Sequence, residues 1–269
     1  MTDIDGTLLN KDGAISDEDK RALDRVVKLG IRVSLSTGRV PVSCQGIIKW
    51  LSLNGHHMFC DGALVSNVEN GEEVYVWPLD DDVVERLVNF AHRNGINLDL
   101  YSADHFFAER ETWATDIRRQ FFRLEPTIVD FSEIVHKERI IKGTLVVSSA
   151  EEKARAKSFY HQFRSSLNFS WTKTPAYPEV DFINVISAGV SKGKALEALA
   201  SHLGIELAEV IAFGDGSNDV SMLTRAGMAI AMADAPDELK AVADYITLDV
   251  EHSGVSAAID KFLLSQDGD

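Results

Sequence analysis

Short apolar runs that end in polar, glycine-containing loops constrain the fold of this chain most. The run at residues 210–213 (VIAF) leads into GDG at 214–216, and the alternating run at 31–36 (IRVSLS) leads into TGR at 37–39. Such runs are typical of strands that are buried in a sheet. A third strand is predicted over residues 228–231 (MAIA).

Helix patterns lie next to these strands. Ser16 and Asp19 have the spacing of a capping box, before an apolar stripe that stops at Gly30. Two more helices are predicted over residues 191–204 and 218–227, each ending at a glycine. Strands that alternate with helices predict an α/β fold with a doubly wound parallel sheet, which binds ligands beyond the carboxyl ends of its strands.

The middle of the chain has a different pattern. Predicted helices at 80–94, 112–122 and 151–167 are interspersed with predicted strands at 96–101, 105–108, 144–147 and 169–172. We therefore predict that residues 79–180 form an inserted α+β unit, and that residues 1–78 and 181–269 together form the core.

The charge of the chain limits its partners. Its 269 residues include 42 acidic and 27 basic ones, for a formal net charge of −15. This sign disfavours nucleic acid and anionic membranes as partners, and an anionic ligand would need local positive charge. No apolar stretch could span a bilayer, the first residues lack a signal-peptide core, and Cys44 and Cys60 form no CxxC pair. We expect a cytoplasmic protein, and the sequence carries no indication of its oligomeric state.

Two carboxylates stand two residues apart where the first strand is predicted to end. Asp3 and Asp5 lie in DIDGT, which is not a calcium-binding loop, because Leu8 and Ala14 occupy the positions that need Gly and Glu. The segment is therefore either a plain acidic turn or half of a functional site.

A second acidic loop follows the strand at 210–213. Asp215, Asn218 and Asp219 crowd a glycine-flanked turn, which is more polar side chains than a helix N-cap needs. Together with Asp3, they offer hard oxygen ligands at two strand ends, and Mg²⁺ prefers such ligands. A magnesium site is therefore predicted between the two acidic loops.

Two further segments carry groups that suit a phosphate. Residues 36–39 (STGR) end a strand with hydroxyls, a flexible backbone and a cation. Lys192 lies in the first turn of a predicted helix, where the helix dipole opposes a cation unless an anion is nearby. From its position alone, a solvated surface lysine is an equally good interpretation.

Together the four segments resemble the haloacid dehalogenase (HAD) superfamily, and within it the Cof-type sugar-phosphatase branch. The motifs are DIDGTLL, STGR, VSKGKAL and GDGSNDVSML, in that order, with the large insertion between the second and the third. The resemblance covers nearly the whole chain and implies a Rossmann-like HAD core with an inserted α+β cap. It also implies a Mg²⁺-dependent phosphatase that hydrolyses small phosphorylated metabolites such as sugar phosphates.

The resemblance implies roles for individual residues. Asp3 would be the nucleophile that forms an aspartyl-phosphate, and Asp5 would protonate the leaving group and then activate water. The metal ligands would be the side chains of Asp3 and Asp215 and the backbone carbonyl of Asp5, with support from Asp219. The phosphate would be bound by Thr37, Gly38, Arg39, Lys192 and Asn218. Substrate contacts from the cap could come from His105, Arg118, Arg119 and Arg123, for each of which a surface or structural role is the more common one.

Two alternatives remain open. A phosphotransferase or mutase of the phosphomannomutase type shares the core and a related cap, and a binding protein could keep the fold without turnover. One residue departs from the family pattern, since Asp61 stands where Asn is usual. An extra carboxylate beside a phosphate pocket would repel the substrate unless it is paired or faces a sugar hydroxyl. Asp61 could therefore tune specificity or cap its own turn, and we favour the turn.

The first strand is predicted to be short. Only Met1 and Thr2 precede Asp3, whereas a strand usually has about five or six residues. Either the true start lies upstream, or the shortened strand lowers stability and loosens the backbone at Asp3. In both cases, we expect added apolar residues before Met1 to raise stability and turnover.

Overall fold

Two sheets with helices packed against them make up the computed structural model, which describes residues 1–174 and 176–264, without the side chains of residues 121 and 122. The strands are β1 (Thr2–Asp3), β2 (Leu35–Ser36), β3 (His57–Phe59), β4 (Leu64–Ser66), β5 (Glu73–Val76), β6 (Leu98–Tyr101), β7 (Phe106–Ala108), β8 (Thr127–Ile128), β9 (Lys142–Val147), β10 (Leu167–Thr174), β11 (Tyr177–Ser187), β12 (Ile211–Gly214), β13 (Met228–Ala231) and β14 (Tyr245–Ile246). The α-helices are α1 (Asp17–Lys28), α2 (Pro41–Trp50), α3 (Asp81–Asn94), α4 (Trp113–Ile117), α5 (Ala150–Phe163), α6 (Lys192–Leu203), α7 (Val220–Leu223), α8 (Asp237–Lys240) and α9 (Gly254–Ile259).

The first sheet, which we call the core sheet, has the order β14-β13-β12-β1-β2-β3-β4-β5. The pairs from β14 to β3 are parallel, and β4 and β5 are antiparallel to their neighbours. The chain builds outward from β1 through β2 and β3, and later returns to β12 on the other side of β1. The strand order therefore reverses between β1 and β12, which is where sheets of this kind bind ligands. The predicted α/β fold with a doubly wound parallel sheet is confirmed.

Apolar side chains cover both faces of the core sheet. Phe213 packs into the cluster that includes apolar residues of α1 and α9, whereas its neighbour Ala212 packs into the cluster with α6 and α7. Consecutive residues of a strand point to opposite faces, so a strand that is buried on both faces needs an unbroken apolar run. The run at residues 210–213 meets this need.

The second sheet, which we call the cap sheet, has the order β10-β11-β9-β6-β7-β8 and lies in the chain between β5 and α6. One of its faces packs against α3 and α5 through residues such as Leu87, Phe159 and Leu145. The assignment of residues 79–180 to a cap domain stays a prediction. Strand β11 of the cap sheet runs past residue 180, the predicted end of that unit, to Ser187.

Some elements differ in extent from the sequence predictions. The strand predicted at 31–36 is confined to Leu35–Ser36, because its neighbour β1 offers only two residues for pairing. The helix predicted to reach residue 167 ends at Phe163, because Leu167 already pairs with Ser187 in the cap sheet. The helix predicted at 218–227 is a 3-10 turn followed by the single turn of α7. None of the helices in the described ranges is long and apolar enough to cross a membrane.

Candidate active site

The carboxyl ends of β1 and β12 bring the two acidic loops together. Asp3 is the last residue of β1, and Asp215 directly follows β12. Carboxylate oxygens of Asp3, Asp215 and Asp219 lie within 4.8 Å of one another. The loops can approach this closely because position 6 is a glycine with φ +88°, where an added Cβ would lie 2.2 Å from Oδ2 of Asp215.

A buried lysine bridges two of these carboxylates. Nζ of Lys192 donates to Oδ1 of Asp3 and to Oδ1 of Asp219, at 2.6 Å in each case. Burial opposes the charge of the lysine, but Asp219 and Asp3 outweigh this effect and raise the pKa of Lys192. The interpretation of Lys192 as a solvated surface lysine is therefore wrong.

The electrostatics of the acidic cluster suit a divalent cation. Burial, reinforced by Asp219, raises the pKa of Asp215 to about 8. Burial also raises the pKa of Asp3, although Lys192 opposes the change. Three crowded carboxylates with one lysine between them are short of positive charge, and their oxygens are the ligands that Mg²⁺ prefers. The residues present therefore fit a magnesium ion, with Asp3 and Asp215 as the side chains that would hold it.

Asp219 organises the second acidic loop. Its Oδ2 accepts hydrogen bonds from the backbone N–H of Asp215 at 3.2 Å and of Gly216 at 3.1 Å, while its Oδ1 accepts from Lys192. The carboxylate thus holds both the loop and the lysine in place. The prediction that Asp219 supports the metal stays a prediction. Its contacts show that this member of the cluster also positions the loop and Lys192.

Arg39 contacts the predicted acid–base residue. Its Nε and Nη2 donate to Oδ2 and Oδ1 of Asp5 at 2.8 and 2.6 Å. Burial opposes the charge of the guanidinium, but Asp5 outweighs this effect and raises the pKa of Arg39. The residue that the sequence predicted as a phosphate contact is therefore engaged by Asp5 in this structure.

The loop after β2 lies where the two sheets meet. Thr37 is buried, and its Oγ1 accepts a hydrogen bond from the backbone N–H of Arg39 at 3.1 Å. The carbonyl of Gly38 accepts from Nζ of Lys142, a cap-sheet residue, at 2.7 Å. A Cβ at position 38 would lie 3.0 Å from Nδ2 of Asn184 and 3.2 Å from the Asp61 carboxylate. A side chain at position 38 would therefore require Asn184 or Asp61 to shift by a few tenths of an ångström.

Asp61 differs from what the sequence led us to expect. Asp61 does not cap its own turn. Its carboxylate accepts hydrogen bonds from three side chains that are distant in the sequence. Oδ2 accepts from Oγ of Ser170 at 2.9 Å and from Nδ2 of Asn184 at 2.8 Å, and Oδ1 accepts from Nδ2 of Asn218 at 2.8 Å. Ser170 and Asn184 are paired neighbours on β10 and β11. Asp61 therefore connects the cap sheet to Asn218 of the second acidic loop.

A cavity of about 220 Å³ joins these core residues to the cap sheet and its connections. Its walls include Asp3, Asp5, Thr37, Gly38, Arg39, Asp215 and Asn218 on one side, and Tyr101, Arg118, Lys142, Trp171, Lys173, Phe182 and Asn184 on the other. Of the four cap candidates from the sequence, Arg118 lines the cavity; His105, Arg119 and Arg123 are not among its described lining residues. Sequence reasoning missed Lys142, although a lysine inside the apolar segment 140–147 is a signal that could have found it.

Similarity to known proteins extends over almost the whole chain. The sequence profile of the haloacid dehalogenase-like hydrolases matches residues 1–259. The chain belongs to this family. The predicted HAD resemblance, with its Cof-type branch, is therefore confirmed, and so is the prediction that this haloacid dehalogenase-like hydrolase is an enzyme.

Several relatives of this hydrolase carry phosphatase names. It is 28% identical to the HMP-PP phosphatase of Yersinia pseudotuberculosis over 238 residues, which cover 88% of this chain and 84% of that protein. The solved structure of the HAD subclass IIB sugar phosphatase BT4131 matches with 27% identity and a TM-score of 0.80, covering 97% of each chain. The chloroplastic endoribonuclease YBEY of Arabidopsis thaliana is 27% identical over 280 residues, which cover 97% of this chain but 45% of that protein. This chain thus spans less than half of the Arabidopsis relative.

Proposed function

We propose that this hydrolase cleaves phosphate monoesters of small metabolites through an aspartyl-phosphate on Asp3, with Mg²⁺ as its cofactor. The observation that carries the proposal is the position of Asp3 at the end of β1, hydrogen-bonded to Lys192 and within 4.8 Å of Asp215 and Asp219. The phosphatase names of its relatives support the same reaction class.

One carboxylate oxygen of Asp3 accepts a hydrogen bond, and the other is available for the attack on phosphorus. Oδ1 accepts the hydrogen bond from Lys192, and no donor to Oδ2 is found within residues 1–174 and 176–264. Oδ2 would attack phosphorus in line, which forms the Asp3–phosphate bond as the bond to the leaving oxygen breaks. Lys192 would then face the oxygens of the transferred phosphoryl group, together with Thr37 and Asn218.

The acidic cluster would supply the metal site. When bound by the Asp3 and Asp215 carboxylates and the Asp5 carbonyl, a magnesium ion supplies positive charge that stabilises the transferring phosphoryl group. Asp219 would keep the loop and Lys192 aligned beside it.

Asp5 would serve as acid and then as base. In the first step it would give a proton to the leaving alkoxide, and in the second it would take a proton from the water that attacks the phospho-enzyme. Arg39 binds both oxygens of the Asp5 carboxylate, so Asp5 would have to take up a proton from solvent and release one of these two hydrogen bonds before it protonates the leaving oxygen. The other hydrogen bond to Arg39 would keep Asp5 directed into the cavity. In the second step, the proton taken from the attacking water would return Asp5 to its protonated form for the next cycle.

The ligand would be a small phosphorylated metabolite. A cavity of about 220 Å³ suits a sugar-sized molecule, and the net charge of −15 supports our view that nucleic acid is not a partner. The cytoplasm remains the predicted location.

Release of inorganic phosphate from p-nitrophenyl phosphate tests the proposal. We expect release with Mg²⁺ and no added acceptor, its loss on treatment with EDTA, and a fall of about 10³-fold or more in Asp3→Asn. Asp82→Asn, an exposed aspartate on α3, is the matched control and should keep the wild-type rate. Equal rates in the wild type and Asp3→Asn would refute the proposal, and phosphate transfer without release would indicate a mutase.

A further inference from the structure

Several cations line the cavity, and Lys142 differs from the others. Among the described residues, no carboxylate lies within 4 Å of its ammonium group. The other lining cations each have such a partner: Arg39 has Asp5, Arg118 has Asp99 and Lys173 has Asp181. Lys142 is only 5% exposed, and within the described residues Nζ donates one hydrogen bond, to the carbonyl of Gly38 at 2.7 Å.

A buried ammonium in this state is incompletely satisfied. It has three N–H donors for the one acceptor described above, and Nζ also lies over the ring of Tyr101, at 4.8 Å from the centroid. Asp61 and Asp99 act on its charge from a greater distance, but each is already engaged, Asp61 by three neutral side chains and Asp99 by Arg118. Burial lowers the pKa of Lys142. An anion in the cavity would complete its hydrogen bonds and offset the cost of burying its charge.

The position of Lys142 indicates which part of a substrate it would meet. It belongs to the cap sheet, whereas Asp3 and Lys192 belong to the core and face the transferred phosphoryl group. Arg118 adds a second cation on the same wall, and both cations lie near the ring of Tyr101, whose centroid is 5.6 Å from Cζ of Arg118 and 4.8 Å from Nζ of Lys142. Two carboxylates act on these cations, but Asp99 pairs with Arg118 and Asp61 is bound by three neutral side chains, so neither forms an ion pair with Lys142. The leaving group, not the phosphoryl group, would contact this wall.

We propose that Lys142 binds a second anionic group, a carboxylate or a phosphate, on the leaving portion of the substrate. The inference rests on the proposed phosphatase function and narrows its substrates to acidic phosphate monoesters, such as phosphorylated sugar acids or sugar bisphosphates. A purely structural function for Lys142, as a tether to Gly38, predicts no such preference.

Competition with p-nitrophenyl phosphate hydrolysis by matched pairs of compounds tests the inference. The pairs are 3-phosphoglycerate with glycerol 3-phosphate, 6-phosphogluconate with sorbitol 6-phosphate, and fructose 1,6-bisphosphate with fructose 6-phosphate. In at least one pair, we expect the compound with the second anion to have an inhibition constant at least about ten-fold lower. If no acidic compound competes better than its partner, the inference is overturned, while hydrolysis of p-nitrophenyl phosphate would still support the phosphatase proposal. Absence of that hydrolysis would instead refute the proposed function.

Variants of Lys142 separate binding from tethering. In Lys142→Met, the ratio of inhibition constants within the discriminating pair should fall toward one, and Lys142→Arg should retain most of the ratio. Lys157→Met, which removes an exposed lysine of α5, should leave the ratio unchanged. A Lys142→Met variant that weakens both members of the pair equally would show tethering alone and overturn the inference. If Lys142→Met fails to fold, the wild-type comparison decides alone.

Discussion

Arg39 and Asp5 form a two-point ion pair, with Nε to Oδ2 at 2.8 Å and Nη2 to Oδ1 at 2.6 Å. The pair joins the loop after β2 to the loop after β1 inside the cavity that contains Asp3. A guanidinium that binds both oxygens sets the direction of a carboxylate as well as its position. In the proposed mechanism, Arg39 would therefore set where Asp5 exchanges a proton.

Arg39→Lys should lower kcat more than it changes KM. Lysine keeps the charge but loses the fork that orients Asp5. We expect kcat for p-nitrophenyl phosphate to fall about 10- to 100-fold, which is part of the effect of general acid–base catalysis. Arg21→Lys, at an exposed ion pair of α1, is the control. An unchanged kcat in Arg39→Lys would contradict this function of the pair.

Lys192→Met should both inactivate and destabilise the protein. It would leave the buried carboxylates of Asp3 and Asp219 without their cation, which typically lowers the free energy of unfolding by about 3–5 kcal/mol. Mg²⁺ at about 100 times its dissociation constant should return roughly 2.7 kcal/mol, if the acidic cluster still binds the ion. Urea unfolding at pH 7 with and without Mg²⁺ measures both effects. The exposed neighbour on α6 provides the control Lys194→Met, and an equal loss in both variants would argue against a special function of Lys192.

Asp61→Asn should weaken the connection between the two sheets. The asparagine amide has one acceptor oxygen, whereas the Asp61 carboxylate has two. The NH2 group of the asparagine would therefore point at a side chain that now donates a hydrogen bond to Asp61. The loss of a buried hydrogen bond and the unpaired donor that remains should lower the free energy of unfolding by about 1–3 kcal/mol and raise KM. Thermal unfolding and steady-state kinetics measure these changes, with the exposed Asp104→Asn as control. Wild-type stability together with wild-type KM would show that the connection is dispensable.

His57 should make the folded protein sensitive to mild acid. The side chain is buried, and its Nδ1 accepts a hydrogen bond from the backbone N–H of Leu35 at 3.1 Å. Burial lowers the pKa of His57 from 6.5 to about 4. As the pH falls below 6.5, the unfolded chain takes up the proton first, so stability present at neutral pH is lost between pH 6.5 and about 4. This residue should account for about 3 kcal/mol of that loss.

His57→Asn keeps a hydrogen-bond acceptor but cannot titrate. Urea unfolding between pH 7 and pH 4.5 should show a shallower decline in its free energy of unfolding than in the wild type. His161→Asn, which removes an exposed histidine, should keep the wild-type slope. The same slope in His57→Asn and the wild type would rule out the assignment.

Local patterns in the sequence were sufficient for the framework of the fold and the centre of the site. An unbroken apolar run such as residues 210–213 predicts a strand buried on both faces, and a polar loop after it predicts a site at the edge of the sheet. The loops after adjacent parallel strands meet at one edge, so Asp3 and Asp215 could be expected to converge from their positions alone. The capping box of Ser16 and Asp19 placed the start of α1 for the same local reason.

Only the tertiary structure decided which side chains meet across the cavity. Lys142 lies 104 residues from Gly38, and Asn184 lies 123 residues from Asp61, yet both pairs are hydrogen-bonded. Such contacts depend on the register of the cap sheet and on how it packs over the core sheet, and no local period in the sequence encodes either. The same packing buries Lys142 against Tyr101. The sequence by itself therefore determined which acidic and basic side chains gather at the end of β1 and β12, whereas the packing of the two sheets determined which groups face them across the cavity.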